Sequence, residues 1–221
     1  MTSHEVSIPS GEINLGGELN LPPHAPGVVL FAHGSGSSRH SQRNQYVARA
    51  LREHGVGTLL FDLLTEEEEQ AEAFTRHLRF NIPFLADRLV GATHWVMDEI
   101  HRDIAVGYFG ASTGAAAALV AASELRERIG AVVSRGGRPD LAGEALSRVT
   151  ASTLLIVGEN DTQVIPLNEE AFVKLRCEKA LRKIPGASHL FEEPGTLEKV
   201  AAMASDWFAG HLHSRPAETA Q

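Results

Sequence analysis

Residues 104–116 read Ile-Ala-Val-Gly-Tyr-Phe-Gly-Ala-Ser-Thr-Gly-Ala-Ala, and the reading of this stretch decides the fold. Residues 104–109 form a largely apolar run, expected of a strand covered on both faces. From Thr113 onward the chain is rich in alanine as far as Arg128, which favours a helix. Between them lies Gly110-Ala111-Ser112-Thr113-Gly114, a G-x-S-x-G pattern. Glycine and serine are common, so the bare pattern is weak. A strand before it and a helix after it make it specific: the serine sits on a strained turn, and the glycines remove side chains that would collide with neighbouring backbone.

Working outward, strand and helix signals alternate. Apolar runs at 27–32, 57–61, 130–134 and 153–157 read as buried strands, and 180–184 as a shorter one nearer an edge. Helical spacing appears at 41–54, 83–100 and 196–209, and Thr65 with Glu68 matches a capping box. Residues 6–8 and 13–21 are alternating segments broken at Ser10-Gly11 and Gly16-Gly17, so they read as an antiparallel ribbon with a turn or bulge. This order predicts an α/β fold, a mostly parallel sheet with helices on both faces. Functional groups of such sheets gather at the carboxyl ends of the strands.

A serine hydroxyl is a weak nucleophile near neutral pH and needs a base, which in turn needs an orienting partner. Two loops that follow strands downstream supply them in the order Ser, Asp, His: Gly158-Glu159-Asn160-Asp161 and Gly186-Ala187-Ser188-His189. Ser112 is thus the candidate nucleophile, His189 the base and Asp161 the orienting acid. Asp140 is the main competitor for the acid role, and Asp62 is expected at most to support the site by hydrogen bonding. An oxyanion hole would use the N–H of Thr113 and one from the first loop, Ala32-His33-Gly34-Ser35-Gly36. Ser35 is the choice there and Gly36 the alternative; His33 is expected to hold the loop by hydrogen bonds. Arg39 and Arg135 also follow strands on this edge. Either guanidinium could bind a substrate carboxylate, or serve in salt bridges.

With these residues placed, the whole chain resembles the α/β-hydrolase superfamily, in its dienelactone-hydrolase-like branch. Residues 33–39, 110–114, 158–161 and 186–195 carry the likeness. The resemblance implies an eight-stranded, mostly parallel sheet and a Ser/Cys-His-Asp triad. Dienelactone hydrolases proper use a cysteine nucleophile, whereas the elbow here carries Ser112; the single cysteine, Cys177, lies in a helical stretch outside every motif. Dienelactone is therefore not carried over as substrate, and a serine at this position is similar to carboxylesterases. The 136–152 segment leaves room for one helix only, so no large lid domain is expected, and small soluble esters suit an open site. Residues 76–83 are expected near its mouth. Thioester hydrolysis or acyl transfer with the same triad is an alternative, and a non-catalytic binding module on the same fold is another.

Bulk properties bound these readings. The chain has 221 residues, 43% hydrophobic and 22% charged, with a net charge of −8. Its basic residues are scattered, which argues against nucleic acid as a partner. No apolar run approaches the ~20 residues of a membrane span, and no apolar leader follows Met1; a soluble, cytoplasmic protein is expected. No cofactor or metal is expected, since His94 and His101 miss the i, i+4 spacing of a helical zinc site. Residues 1–213 are read as one domain and 214–221 as a flexible tail, with a homodimer left open.

Overall fold

The computed structural model describes residues 3–75, 77–100 and 104–212. His101 and the 214–221 tail lie outside the described residues. Eight strands form one sheet: β1 (His4–Ser10), β2 (Ile13–Asn20), β3 (Gly27–Ala32), β4 (Gly57–Phe61), β5 (Ala105–Ala111), β6 (Ile129–Arg135), β7 (Ser152–Gly158) and β8 (Lys179–Ile184), in the spatial order β1-β2-β4-β3-β5-β6-β7-β8. β1 and β2 pair antiparallel, β2 meets β4 antiparallel, and every later pairing is parallel. The helices are α1 (Gln42–Glu53), α2 (Glu66–Thr75), α3 (Ile82–Glu99), α4 (Thr113–Leu125), α5 (Ile165–Lys174) and α6 (Thr196–His211). This is the α/β-hydrolase architecture that the resemblance implied.

The sheet is covered on both faces because its central strands are apolar on both. In β3, Val28 and Leu30 join the core under α3 and α4, while Val29 and Phe31 face the opposite core with Val47 and Leu51 of α1 and Val200 and Phe208 of α6. Full burial of each such side chain contributes about 1.5–3 kcal/mol. One polar pair crosses the larger core. Thr93 donates to the Leu89 carbonyl at 2.8 Å and accepts from the Tyr108 hydroxyl at 2.6 Å, which ties α3 to the strand leading into the serine elbow.

Local chemistry sets the element ends. Ser41 caps α1 by accepting from the Asn44 N–H at 3.3 Å, and Gly55 at φ +80° follows its C-terminus. The capping box of α2 forms in both directions: Glu68 accepts from the Thr65 N–H at 2.8 Å, and Thr65 Oγ1 accepts from the Glu68 N–H at 3.2 Å. Three local expectations differ. Gly16 and Gly17 do not break β2; they pair in register with Ser7 and Val6. Their lack of side chains serves packing, since a Cβ on Gly16 would lie 2.1 Å from Arg39 Nη1 and one on Gly17 would lie 3.1 Å from Phe61 Cβ. Cys177 is not helical, because α5 ends at Lys174 and Leu175 is extended. The 139–148 segment is a 3-10 stretch broken at Gly143 (φ 54°). Among the described residues, no helix is long and apolar enough to cross a membrane.

Two glycine-to-alanine changes should move stability in opposite directions. Gly91, inside α3 with open space around it, gains helix propensity, and Gly91→Ala should stabilise by about 0.5–1 kcal/mol. A Cβ on Gly27 would lie 2.7 Å from the Ala105 carbonyl oxygen of the neighbouring strand, so Gly27→Ala should destabilise by about 1–3 kcal/mol. Urea denaturation of both variants reads the signs.

Candidate active site

Ser112 occupies the junction of β5 and α4 at φ 51°, ψ −122°. A non-glycine residue at positive φ is strained and must be held by its surroundings. The Ser112 carbonyl accepts from the N–H groups of Arg138 (3.0 Å) and Ala115 (3.2 Å), and its own N–H donates to the Arg135 carbonyl at 3.4 Å. The flanking glycines clear the space: a Cβ would lie 2.4 Å from Ala115 Cα at Gly110 and 2.1 Å from the Ala32 carbonyl oxygen at Gly114. A Cβ on Gly34 would come within 2.9 Å of Ser112 Cβ, so the loop after β3 also needs glycine to lie against the serine.

Asp161 and His189 come from loops after strands further along the sheet. Asp161 follows β7 in a turn closed by its N–H on the Gly158 carbonyl at 3.1 Å. His189 follows β8, beyond Gly186 at φ +75°. The loop after β6 gives way to it, for a Cβ on Gly136 would lie 2.9 Å from the His189 carbonyl oxygen. His189 Nδ1 lies 2.6 Å from Asp161 Oδ2, a short charge-assisted contact. A carboxylate on Nδ1 keeps the proton there and leaves Nε2 as the basic nitrogen. Ser112 and His189 line one cleft of about 570 Å³. Asp140 is engaged elsewhere, in a two-point ion pair with Arg138 at 2.9 and 2.8 Å. Asp62 accepts from the Arg39 N–H at 2.8 Å.

Ser35 and Thr113 lie side by side. The Ser35 N–H donates to Thr113 Oγ1 at 3.2 Å, and the two hydroxyls are 3.1 Å apart. Ser35 Oγ also donates to the Arg79 carbonyl at 3.3 Å, so residues 77–80 sit beside the loop after β3. Glu72 holds that segment by accepting from the N–H groups of His77, Leu78 and Arg79 at 2.8, 2.8 and 3.0 Å. His33 pins the other side: Nδ1 lies 3.1 Å from the Gly34 carbonyl and Nε2 accepts from the Leu63 N–H at 3.0 Å. Accepting from the Leu63 N–H needs a neutral imidazole, and burial pushes the His33 pKa below its ordinary value.

The two arginines separate. Arg39 is 3.5 Å from Glu5 and 3.6 Å from Asp62 and lies along Gly16, lining a hollow with Asp62 and Glu66 that does not include Ser112. Arg135 lines the cleft with Ser112 and His189. Sequence reading passed over Arg43, which lines the same cleft from the first turn of α1. Its signal was a cation at a helix N-terminus, where the helix dipole disfavours one.

A solved dienelactone hydrolase from Anabaena variabilis is 57% identical, superposes with a TM-score of 0.94, and is covered over 99% of its length by 96% of this chain. The chain belongs to the dienelactone hydrolase family of α/β-hydrolases. Among more distant solved structures, an esterase domain from Rhodothermus marinus (18% identity, TM-score 0.75, 96% of this chain and 100% of that one) shares the fold. So does an esterase from Pyrococcus furiosus (16% identity, TM-score 0.73, 95% of this chain and 91% of that one). Two curated proteins from Mycobacterium tuberculosis strains, provisionally named phosphoribosyl transferases, are each 53% identical over 213 residues. These cover 96% of this chain but 47% of each relative, so the chain spans about half the length of the curated relatives it matches. No family model matches the chain.

The neutral His33 makes part of the protein's stability pH-dependent. The unfolded imidazole takes up a proton around its ordinary pKa of 6.5, while the folded one resists it. The contribution is therefore whole above about pH 6.5 and is lost as pH falls toward the lower folded value. Urea denaturation at about pH 7.5 and about pH 5.5 should show a loss of stability on acidification that is smaller in His33→Ala than in wild type.

Proposed function

We propose that the chain hydrolyses small carboxylic esters through an acyl-enzyme on Ser112. The observation that carries this reading is the 2.6 Å His189–Asp161 contact at the mouth of a cleft that also holds a strained serine. His189 Nε2 takes the proton from Ser112 Oγ as the oxygen attacks the ester carbonyl. Asp161 fixes the tautomer and stabilises the imidazolium. The tetrahedral oxyanion is received by the N–H groups of Thr113 and Ser35. In the free protein the Thr113 hydroxyl holds the Ser35 N–H at 3.2 Å, and that donor turns to the oxyanion as charge develops. His189 returns the proton to the leaving alcohol, then activates the water that releases the acid.

The likeness to a dienelactone hydrolase and to esterases supports this chemistry. The transferase name belongs to proteins about twice as long as the segment they share with this chain. Thioester hydrolysis or transfer to another acceptor would use the same residues; no observation favours either over ester hydrolysis.

A fluorophosphonate probe tests the reading. Wild type should be labelled once per chain, at Ser112, and Ser112→Ala not at all. His189→Ala should slow labelling by roughly 100- to 10,000-fold and Asp161→Asn by up to about 10,000-fold. A well-folded wild type that resists the probe would overturn the proposal.

A further inference from the structure

The acidic run of α2 does not face water on all sides. Glu66 and Glu67 are exposed, whereas Glu68, Glu69 and Glu72 share a helical face that is partly or fully buried. Glu68 pairs with the buried Arg88 of α3 at 2.7 Å, and Glu69 pairs with Arg79 at 2.6 Å. Glu72 lies deepest, at 0% exposure. A buried carboxylate is costly unless its oxygens are hydrogen-bonded, and here the donors are three successive backbone N–H groups. Oε1 accepts from His77 and Leu78, both at 2.8 Å, and Oε2 accepts from Arg79 at 3.0 Å. A turn that had only to connect α2 to α3 could be closed by an exposed serine or asparagine.

What Glu72 fixes lies one bond from the site. The Arg79 carbonyl accepts from Ser35 Oγ at 3.3 Å. A hydroxyl has one proton. With that of Ser35 given to Arg79, the 3.1 Å contact between the two hydroxyls runs from Thr113 to Ser35, and Thr113 Oγ1 accepts from the Ser35 N–H at 3.2 Å. Ser35 itself is exposed and sits between Gly34 and Gly36, the latter at φ +71°, so its local backbone does little to hold it. Its place beside Ser112 depends on bonds to two anchors. One is Thr113, buried in the first turn of α4; the other is Arg79, whose own N–H is held by Glu72.

We propose that Glu72 is a positioning residue for ester hydrolysis. It holds residues 77–79 in place, and through the Arg79 carbonyl and the Ser35 hydroxyl it sets the Ser35 N–H where the tetrahedral oxyanion forms. The proposal rests on the hydrolase reading for the reaction it serves. Oxyanion donors are effective when held in advance at the position where charge develops, and a displacement of about 1 Å caused far from the chemistry can cost on the order of 100-fold in rate. Glu72 touches no reacting atom. Its effect reaches the reaction through two hydrogen bonds and belongs to the transition state, so it is read in kcat rather than in KM.

Steady-state hydrolysis of p-nitrophenyl acetate by wild type, Glu72→Gln, Ser35→Ala and the double variant tests the proposal, together with inhibition by a trifluoromethyl ketone, which adds to an active serine as a tetrahedral oxyanion. Glutamine fits the space of Glu72 but turns an NH2 group toward a backbone N–H. Glu72→Gln should lose roughly 10- to 100-fold in kcat with KM nearly unchanged, and its Ki for the ketone should rise by the same factor. Ser35→Ala keeps the N–H and loses only the hydroxyl, and it should show the same pattern. Because the two residues act along one line, the double variant should be no slower than the slower single variant. A merely structural Glu72 would lower stability in urea and leave kcat and Ki of the folded protein alone. That result, or losses that multiply in the double variant, would overturn the proposal. If Glu72→Gln does not fold, Ser35→Ala decides: a kcat loss with a matching rise in Ki supports the proposal, and a wild-type kcat breaks the link and overturns it. Fluorophosphonate labelling of the same preparations separates this role from the reading it rests on. Wild type that is neither labelled nor active sinks both, whereas labelled, active wild type with an unchanged Glu72→Gln sinks the role of Glu72 alone.

Discussion

A serine at φ 51°, ψ −122° is stable only where nothing crowds it, and the chain is arranged around that demand. The strain of such a residue is of order 1–3 kcal/mol. Against it stand the two N–H groups that hold the Ser112 carbonyl and the bare glycines on either side. Even the loop after β3 answers to the same constraint, since Gly34 must pass within contact distance of the serine Cβ. The apolar strands and the Tyr108–Thr93 bond supply the rigid base on which the strained turn is carried.

From that point the geometry divides the work among strand ends. The end of β5 presents Ser112, and the loops after β7 and β8 present Asp161 and His189, so no single loop has to satisfy all three positions. The loop after β6 lies between them. Its Gly136 yields to the His189 backbone, while Arg135 reaches the cleft and Arg138 is held by Asp140. A structural histidine, His33, is kept neutral by burial and ties the loop after β3 to the turn after β4. The two histidines thus have opposite environments: His33 is sealed and bonded through both ring nitrogens, and His189 is partly exposed beside a carboxylate.

Much of this was legible in the sequence because it is written in short range. The strand–turn–helix context of Ser112, the Asp161 and His189 loops after successive strands, the Ser41 cap and the Thr65–Glu68 capping box all depend on neighbours within a few residues. What sequence reading missed depends on distant packing. Gly16 and Gly17 carry a turn signal, yet there the missing side chains make room for Arg39 and Phe61 within a continuous strand. The helical stretch around Cys177 stops early because Leu175 is extended on its way to β8. Arg39 and Arg135 were equivalent candidates by position alone. Only the fold shows that acidic neighbours surround the first while the second stands beside Arg43 without a carboxylate. The bond from the Ser35 N–H to Thr113 Oγ1 joins residues 78 positions apart and has no local signature.

The central claim is that Ser112 carries the acyl group during turnover. Rapid-quench intact-mass measurement during hydrolysis of a p-nitrophenyl ester, followed by peptide mapping, addresses it directly. The account predicts a transient adduct of one acyl group per chain on the peptide containing Ser112, formed together with a burst of p-nitrophenol. Turnover of the ester with no acyl adduct and no burst, or with the acyl group mapped to another residue, would contradict it.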